Sequence, residues 1–459
     1  MIDRRAGWVA EAAAGRLVAG NPEEPGPRRA VADSRLLREG DLFVGLRGSY
    51  ADGGDFAREA LAAGAWGVLV RPPYAEAAGG WGRPVIVAED PLRALQSLAR
   101  RWRRDLRCRV VGITGSTGKT STKDILAALL RPQLRTYANR ENLNTEIGVP
   151  LSVLEAERGI EVLVLEMAMR GEGQIAELAA IAEPDVGVIV NVGPVHLELL
   201  GTVERVAAAK AELIRGLRPG AASVVPAGER LLADHLRDDL DTITFGPGGD
   251  VVLVSFDAGR AEVVARSRRL SLELSYAEPH NLLNTLAAVA AAAALGVTPS
   301  GRVEVRFSSL RGEVVELPGG VTVVNDCYNA NPMSMRAALE HLAASPAERR
   351  IAVLGAMAEL GPESPAYHRE LGARAAELGV DLLVTVGEDA LAYTAGFTGD
   401  THAVATPEEA VAYGEGFGGQ TYAVATPEEA GALLEELAMP GDRVLVKGSR
   451  SVGLERVLA

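Results

Sequence analysis

Residues 112–121, GITGSTGKTS, have the composition and order of a phosphate cradle. Glycine lets the backbone approach an anion closely, and N–H groups opening a helix point at it. Lys119 would then reach the β- and γ-phosphates of a nucleotide, and Thr120 would hold Mg²⁺. The run is not the general P-loop, which wants a glycine where Ile113 stands. Three more residues carry chemistry. Glu166 ends the apolar run VLVLE, where ligands bind in parallel sheets; it reads as a Mg²⁺ ligand or as a solvated strand-end acid. His196, in NVGPVHLE, reads as a ligand or a structural histidine. Lys210, in AAAKAEL, reads as a site amine or a solvated lysine beside Glu212.

These residues need elements to position them. RVVGIT (109–114) reads as a strand, and a helix should start near Lys119. VLVLE (162–166) and VGVIVNV (186–192) read as further strands with helices between them. Continuous apolar strands alternating with helices predict a mostly parallel sheet covered on both faces. VVLVSF, AEVVARS and LSLELSY, within 251–276, look antiparallel. Upstream, a helix-like segment precedes short strands at FVGL (43–46) and WGVLV (66–70). The Arg-rich stretch 100–109 reads as a helix end and connector. Downstream of Arg311, VTVVND, IAVLGAM, LLVTVG and RVLVKGS predict a second dinucleotide-type α/β unit. The expectation is an α/β chain of three domains, at 1–106, 107–310 and 311–459. A short repeat, THAVATPEEA (401–410) and TYAVATPEEA (421–430), reads as strand, Thr N-cap, Pro at N1, then helix, a local duplication.

The formal net charge of -14 disfavours a nucleic-acid partner. Of 47 basic residues only Lys119, Lys123, Lys210 and Lys447 are lysines, so each can mark a place that needs a compact amine. Cys108 and Cys327 are far apart and suggest a reducing compartment. The opening MIDRRAGWVAEAAAG has no apolar h-region, and TLAAVAAAAALGV (285–297) is too short to span a bilayer. A cytoplasmic protein without membrane insertion is expected.

Thr114-Gly115-x-x-Gly118-Lys119-Thr120, followed by Glu166, His196 and Lys210, resembles the Mur ligase superfamily, which includes folylpolyglutamate synthetase. Five ordered segments are similar to its D-alanyl-D-alanine-adding branch: DSRLLREGDLFVGLRGSYADGGDF (33–56), ENLNTEIGVPLSVL (141–154), NVGPVHLELLGTVERVAAAKAEL (191–213), NDCYNANPMSM (325–335) and LVKGSRSVGLE (445–455). The resemblance implies a uridine-nucleotide domain, a central P-loop ATPase domain and a C-terminal Rossmann-like domain. It implies a monomeric, ADP-forming ligase that joins D-alanyl-D-alanine to UDP-N-acetylmuramoyl-tripeptide through an acyl phosphate. Its cofactors would be ATP and two Mg²⁺ ions. The nearest alternative is the sister ligase that adds the third amino acid to UDP-N-acetylmuramoyl-dipeptide. A non-catalytic nucleotide-binding module is the alternative from another class.

Residue roles follow from the same resemblance. Lys119, Glu166, His196 and Lys210 would be catalytic. Thr120, Glu166, His196 and a carbamylated Lys210 would hold metal. ATP would lie against Thr114, Gly115, Ser116, Thr117, Gly118, Lys119, Thr120 and Ser121, with Asn281 at the adenine. Arg311, Asp326, Tyr328 and Asn329 complete the expected ATP contacts. Ser34, Arg35, Asn144, Thr145, Asn331, Lys447, Ser449 and Arg450 would contact substrates. The chain departs from the family pattern at Gly54, where His is frequent, and at Ala168, where Gly is usual. It departs again at Cys327, a common Ser, and at Ala356, where Asp is usual.

Overall fold

The computed structural model describes residues 1–140, 143–308, 310–398 and 419–458. They form two compact units. The first comprises 1–191, 208–277 and 281–305; the second comprises 192–207, 278–280 and 306–459.

The first unit contains two sheets. The smaller has five strands, in the order Arg16–Ala19, Val85–Val87, Gly67–Val70, Leu42–Val44, Ala30–Val31. Only Arg16–Ala19 runs antiparallel to its neighbour. Helix Pro91–Leu106 carries an apolar stripe (Leu95, Leu98, Ala99, Trp102) and is more than a connector. Trp102 Nε1 donates to Ala156 O at 3.0 Å, and the Arg103 guanidinium donates to Ala182 O and Glu183 O. The helix therefore packs as a layer on the larger sheet's helices.

That larger sheet has ten strands, and its parallel part holds the cradle. Arg109–Thr114 lies between Val162–Glu166 and Val186–Ile189, with Thr136–Ala138 at the edge. The strand order reverses beside Arg109–Thr114, and such a reversal opens a crevice at the strands' carboxyl ends. Strands Val251–Asp257, Arg260–Ala265 and Arg268–Leu274 are antiparallel, as their alternation predicted. The expected strand 186–192 stops at Ile189, level with Thr114 at the end of the neighbouring strand; Val190 N still donates to Thr114 O. The Ala-rich segment lies in helix Pro279–Ala294, whose residues from Leu286 to Ala292 are buried.

The second unit is a six-stranded sheet in the order Glu313–Leu317, Val321–Asn325, Asp442–Lys447, Arg349–Gly355, Leu382–Val386, Gln420–Val424. All but the first are parallel. Asp442–Lys447 inserts between two earlier strands, so the segments after Asn325, Gly355 and Lys447 share one end of the sheet. The second repeat copy is as expected: a strand, then Thr426 in a capping box with Glu429, then Pro427 opening helix Pro427–Leu437. The first copy lies outside the described residues.

Candidate functional site

In the first unit, helix Lys119–Leu130 starts directly from the glycine loop. Gly118 has φ +72, and a Cβ there would meet Asn284 Oδ1 at 2.4 Å, so only glycine fits. Asn191, just past its strand, braces the loop: Thr117 N donates to its Oδ1 at 2.9 Å, and Ser116 N donates to its carbonyl at 3.1 Å. Lys119 Nζ donates to Gly115 O at 2.9 Å, which places the ammonium at the loop.

Behind the loop, Thr120 and Glu166 are buried together. Thr120 Oγ1 donates to Glu166 Oε2 at 2.8 Å, and Asn144 Nδ2 donates to Oε1 at 2.8 Å. Glu166 is therefore no solvated strand end. Asn144, expected at substrate, hydrogen-bonds the proposed metal acid. Thr145 Oγ1 accepts from Gly148 N at the start of the next helix. The Glu166 backbone is clamped as well. Its N–H donates to Asn139 Oδ1 at 2.8 Å, and buried Lys123 donates to the Asn139 carbonyl at 2.8 Å. Asn191, Asn139 and Asn284 were missed as functional residues, and Lys123 was marked only by the scarcity of lysine.

Lys210 ends helix Val203–Lys210 and is 2% exposed. Burial first, and the charge of Lys119 second, push its pKa well below the ordinary lysine value. No hydrogen bond or ion pair reaches it among the described residues. Glu212 faces elsewhere: its carboxylate accepts from Gly173 N and Ala176 N at the start of helix Gln174–Ala182. Lys210 is thus not a solvated lysine paired with Glu212. Asn281 is buried and accepts from Asn284 Nδ2 at 3.2 Å, which links it to the residue beneath Gly118. Ser121 follows Thr120 on the same helix.

The uridine-type residues are more open. Ser34 and Arg35 lie in the short turn Ser34–Leu36 capped by Asp33, and Arg35 pairs with Asp33 at 2.7 Å. The Gly54 departure has a physical counterpart: a Cβ at 54 would meet the Tyr74 ring at 2.3 Å. Tyr74 occupies the room that a larger side chain at 54 would need.

In the second unit, several expected residues come together. The Arg311 guanidinium lies 4.0 Å from the Tyr328 ring centroid. Lys447 Nζ, 1% exposed, donates to Asp326 Oδ2 at 2.7 Å and to Asn329 O at 3.0 Å. Asn331 caps helix Pro332–Ala344 with Ser334 in a capping box. Ser449 N donates to Ala356 O, and Ser449 Oγ accepts from Ala358 N at 2.8 Å. These contacts show Lys447, Asn331 and Ser449 holding the segments after the strands. Arg450 is exposed. Neither Ala168 nor Ala356 has a left-handed backbone, so the backbone at 168 does not demand glycine. Cys327 is buried, and burial pushes its thiol up to about 11. His196 belongs to this unit, with its Nδ1 hydrogen-bonded to Glu359 Oε2.

Among the described residues no three His, Cys, Asp or Glu side chains form a metal cluster, and no helix is long and apolar enough to cross a membrane. The oxygen set of Thr120 and Glu166, beside a phosphate cradle, still suits Mg²⁺, which prefers hard oxygen donors and keeps several waters.

Known proteins resemble this chain over most of its length. Residues 113–292 match the Mur ligase middle domain, and 310–450 match the Mur ligase glutamate ligase domain. A Synechocystis UDP-N-acetylmuramoyl-tripeptide–D-alanyl-D-alanine ligase is 37% identical over 93% of this chain and 90% of its own. A crystal structure of MurF from Acinetobacter baumannii superposes with TM-score 0.83 at 27% identity, covering 99% of this chain and 98% of that one. MurF ligase from Thermotoga maritima, solved with ADP, gives TM-score 0.77 at 34% identity over 94% and 96% of the two chains.

Proposed function

The chain belongs to the Mur ligase family, and from that premise we propose that it joins D-alanyl-D-alanine to UDP-N-acetylmuramoyl-tripeptide with ATP as co-substrate. The observation that carries the reading is the buried Thr120–Glu166–Asn144 cluster behind a glycine loop that bears Lys119. A carboxylate does not condense with an amine at neutral pH, so it must first be activated. The γ-phosphoryl group of ATP passes to the tripeptide's terminal carboxylate, forming an acyl phosphate and releasing ADP. The dipeptide amine attacks the acyl carbon, and collapse of the tetrahedral adduct forms the amide and releases phosphate. Little covalent work falls to the protein; it positions groups and neutralises charge. Loop N–H groups and the Lys119 ammonium hold the phosphates. Asn191 and Asn284 fix the loop's shape, and Asn139 with Lys123 fixes Glu166.

Thr120 and Glu166 would hold Mg²⁺, which when bound offsets the negative charge on the phosphates. Lys210 suits carbamylation. CO₂ adds only to a neutral amine, R–NH₂ + CO₂ giving R–NHCOO⁻ and H⁺, and burial beside Lys119 favours the neutral form. The product replaces a repelled cation with an anion able to hold a second Mg²⁺. His196 is assigned a ligand-facing role, and Arg311, Asp326, Tyr328, Asn329 and Asn281 nucleotide roles. Ser34 and Arg35 are assigned to the uridine nucleotide, and Thr145, Asn331, Lys447, Ser449 and Arg450 to substrate positioning. We place the protein in the cytoplasm as a monomer.

The test is phosphate release from ATP and Mg²⁺ with UDP-N-acetylmuramoyl-tripeptide, with and without D-alanyl-D-alanine, plus mass detection of the product. Dipeptide-dependent release with a UDP-pentapeptide product is expected. Turnover only with UDP-dipeptide and a diamino acid would move the chain to the sister branch and overturn the proposal.

A further inference from the structure

The segment 356–361 of the second unit is pinned residue by residue. Ala356 O accepts from Ser449 N, Met357 N donates to His368 Nε2 at 2.9 Å, and Ala358 N donates to Ser449 Oγ at 2.8 Å. His368 is itself fixed, its Nδ1 donating to Ser364 O at 2.6 Å, and burial keeps it neutral. Next comes Glu359, whose carbonyl accepts from Glu198 N at 3.1 Å while its carboxylate meets His196 Nδ1. Both members of that pair have left-handed backbones, at φ +61 for Glu359 and +54 for His196. Gly361 follows at φ +63, close against Glu198 Cα. Non-glycine residues hold that conformation only where their surroundings over-determine it, and such places cluster at functional sites. The other ring nitrogen, Nε2, has no partner among the described residues, and the side chain is 23% exposed.

We propose that Glu359 is a positioning residue for His196: its carboxylate accepts the Nδ1 proton and thereby leaves Nε2 as the nitrogen offered to ligand. A carboxylate behind a histidine fixes the ring's tautomer and orientation and raises the basicity of the free nitrogen. The inference rests on the reading of His196 as a ligand-facing residue. No local pattern announces it, because 163 residues separate the partners.

The test combines a spectroscopic and a kinetic arm on the full chain. With ¹⁵N-histidine labelling, the His196 signals are assigned by their loss in His196→Gln. The unliganded parent should carry a proton on Nδ1, and Glu359→Ala should shift it toward Nε2–H. Glu359→Ala should lower kcat by about 10- to 100-fold, the usual cost of removing such a support. Its melting temperature should stay close to the parent's. Glu359→Gln keeps an acceptor at the same reach and should recover most of that loss. An Nε2–H ring in the parent would overturn the proposal, and so would an unchanged tautomer in Glu359→Ala. Equal losses in both variants with a lowered melting temperature would make Glu359 merely structural. A parent chain without ligase activity would sink the functional reading, while the tautomer arm would still decide the positioning claim.

Discussion

Two buried lysines sit in opposite electrostatic settings. Lys447, at the end of a strand in the second unit, meets the Asp326 carboxylate at 2.7 Å and two backbone carbonyls. Lys210, at the end of a helix in the first unit, has no counter-ion among the described residues, and the charge of Lys119 repels it. Both are nearly inaccessible, at 1% and 2% exposure, so solvent stabilises neither ammonium. Lys447 is held by its own chain and braces the loop that bears Asp326 and Asn329. Lys210 is left costly, which fits an amine kept for chemistry rather than for structure. Burial alone therefore says little about a lysine's task; its partners decide.

The largest expected effect removes the charge beside Lys210. Lys119→Ala should lower turnover by at least about 10³-fold, as loss of a phosphate-neutralising cation does. Its melting curve should stay near the parent's, and near-normal turnover would break the assigned mechanism. Lys447→Met should destabilise the chain by about 3 kcal/mol, the lower end for orphaning a buried ion pair, because Asp326 is partly exposed. Denaturant unfolding measures it, and an unchanged midpoint would remove the contrast with Lys210.

Lys210→Met should act in the opposite sense. The folded pKa of Lys210 lies below its ordinary 10.5. Between that lowered value and 10.5 the unfolded chain binds more protons, so stability of the parent rises with pH across this window. Below the window both states are protonated and the whole penalty is present. In CO₂-free buffer the variant should be more stable than the parent, by an amount that shrinks as pH rises toward 10.5. A pH-independent difference would show that the amine is not penalised. Adding ¹³C-bicarbonate to the parent should produce a carbamate resonance that Lys210→Met lacks. The smallest effect is that of Gly118→Ala, about 1–2 kcal/mol for a side chain in left-handed backbone. It should also raise the KM for ATP, since the loop must shift away from Asn284.

Local signals were read well where one element declares itself. RVVGIT and VLVLE are strands at the expected bounds, and the helix starts at Lys119. The second repeat copy shows the Thr cap and the Pro at N1 as foreseen. The strand ending at Ile189 was read too long because Val190 and Val192 are apolar, while the neighbouring strand ends at Thr114 and leaves them no ladder to extend. The bond from Asn144 to Glu166 was not foreseen, because nothing in its neighbourhood points 22 residues ahead. Asn191 and Asn139 likewise act through contacts that a linear reading does not contain.

The sequence by itself determined the α/β class, the phosphate loop and the family, because these rest on periodicity, glycine placement and short ordered motifs. Only the tertiary structure decided that Lys210 lacks a counter-ion among the described residues while Lys447 has one, and that Glu212 serves a helix N-terminus instead. It alone joined Asn144 to Glu166 and Glu359 to His196. The physical reason is that hydrogen bonds and charge pairs act over a few ångströms in space. The chain brings those partners together only after its sheets have formed.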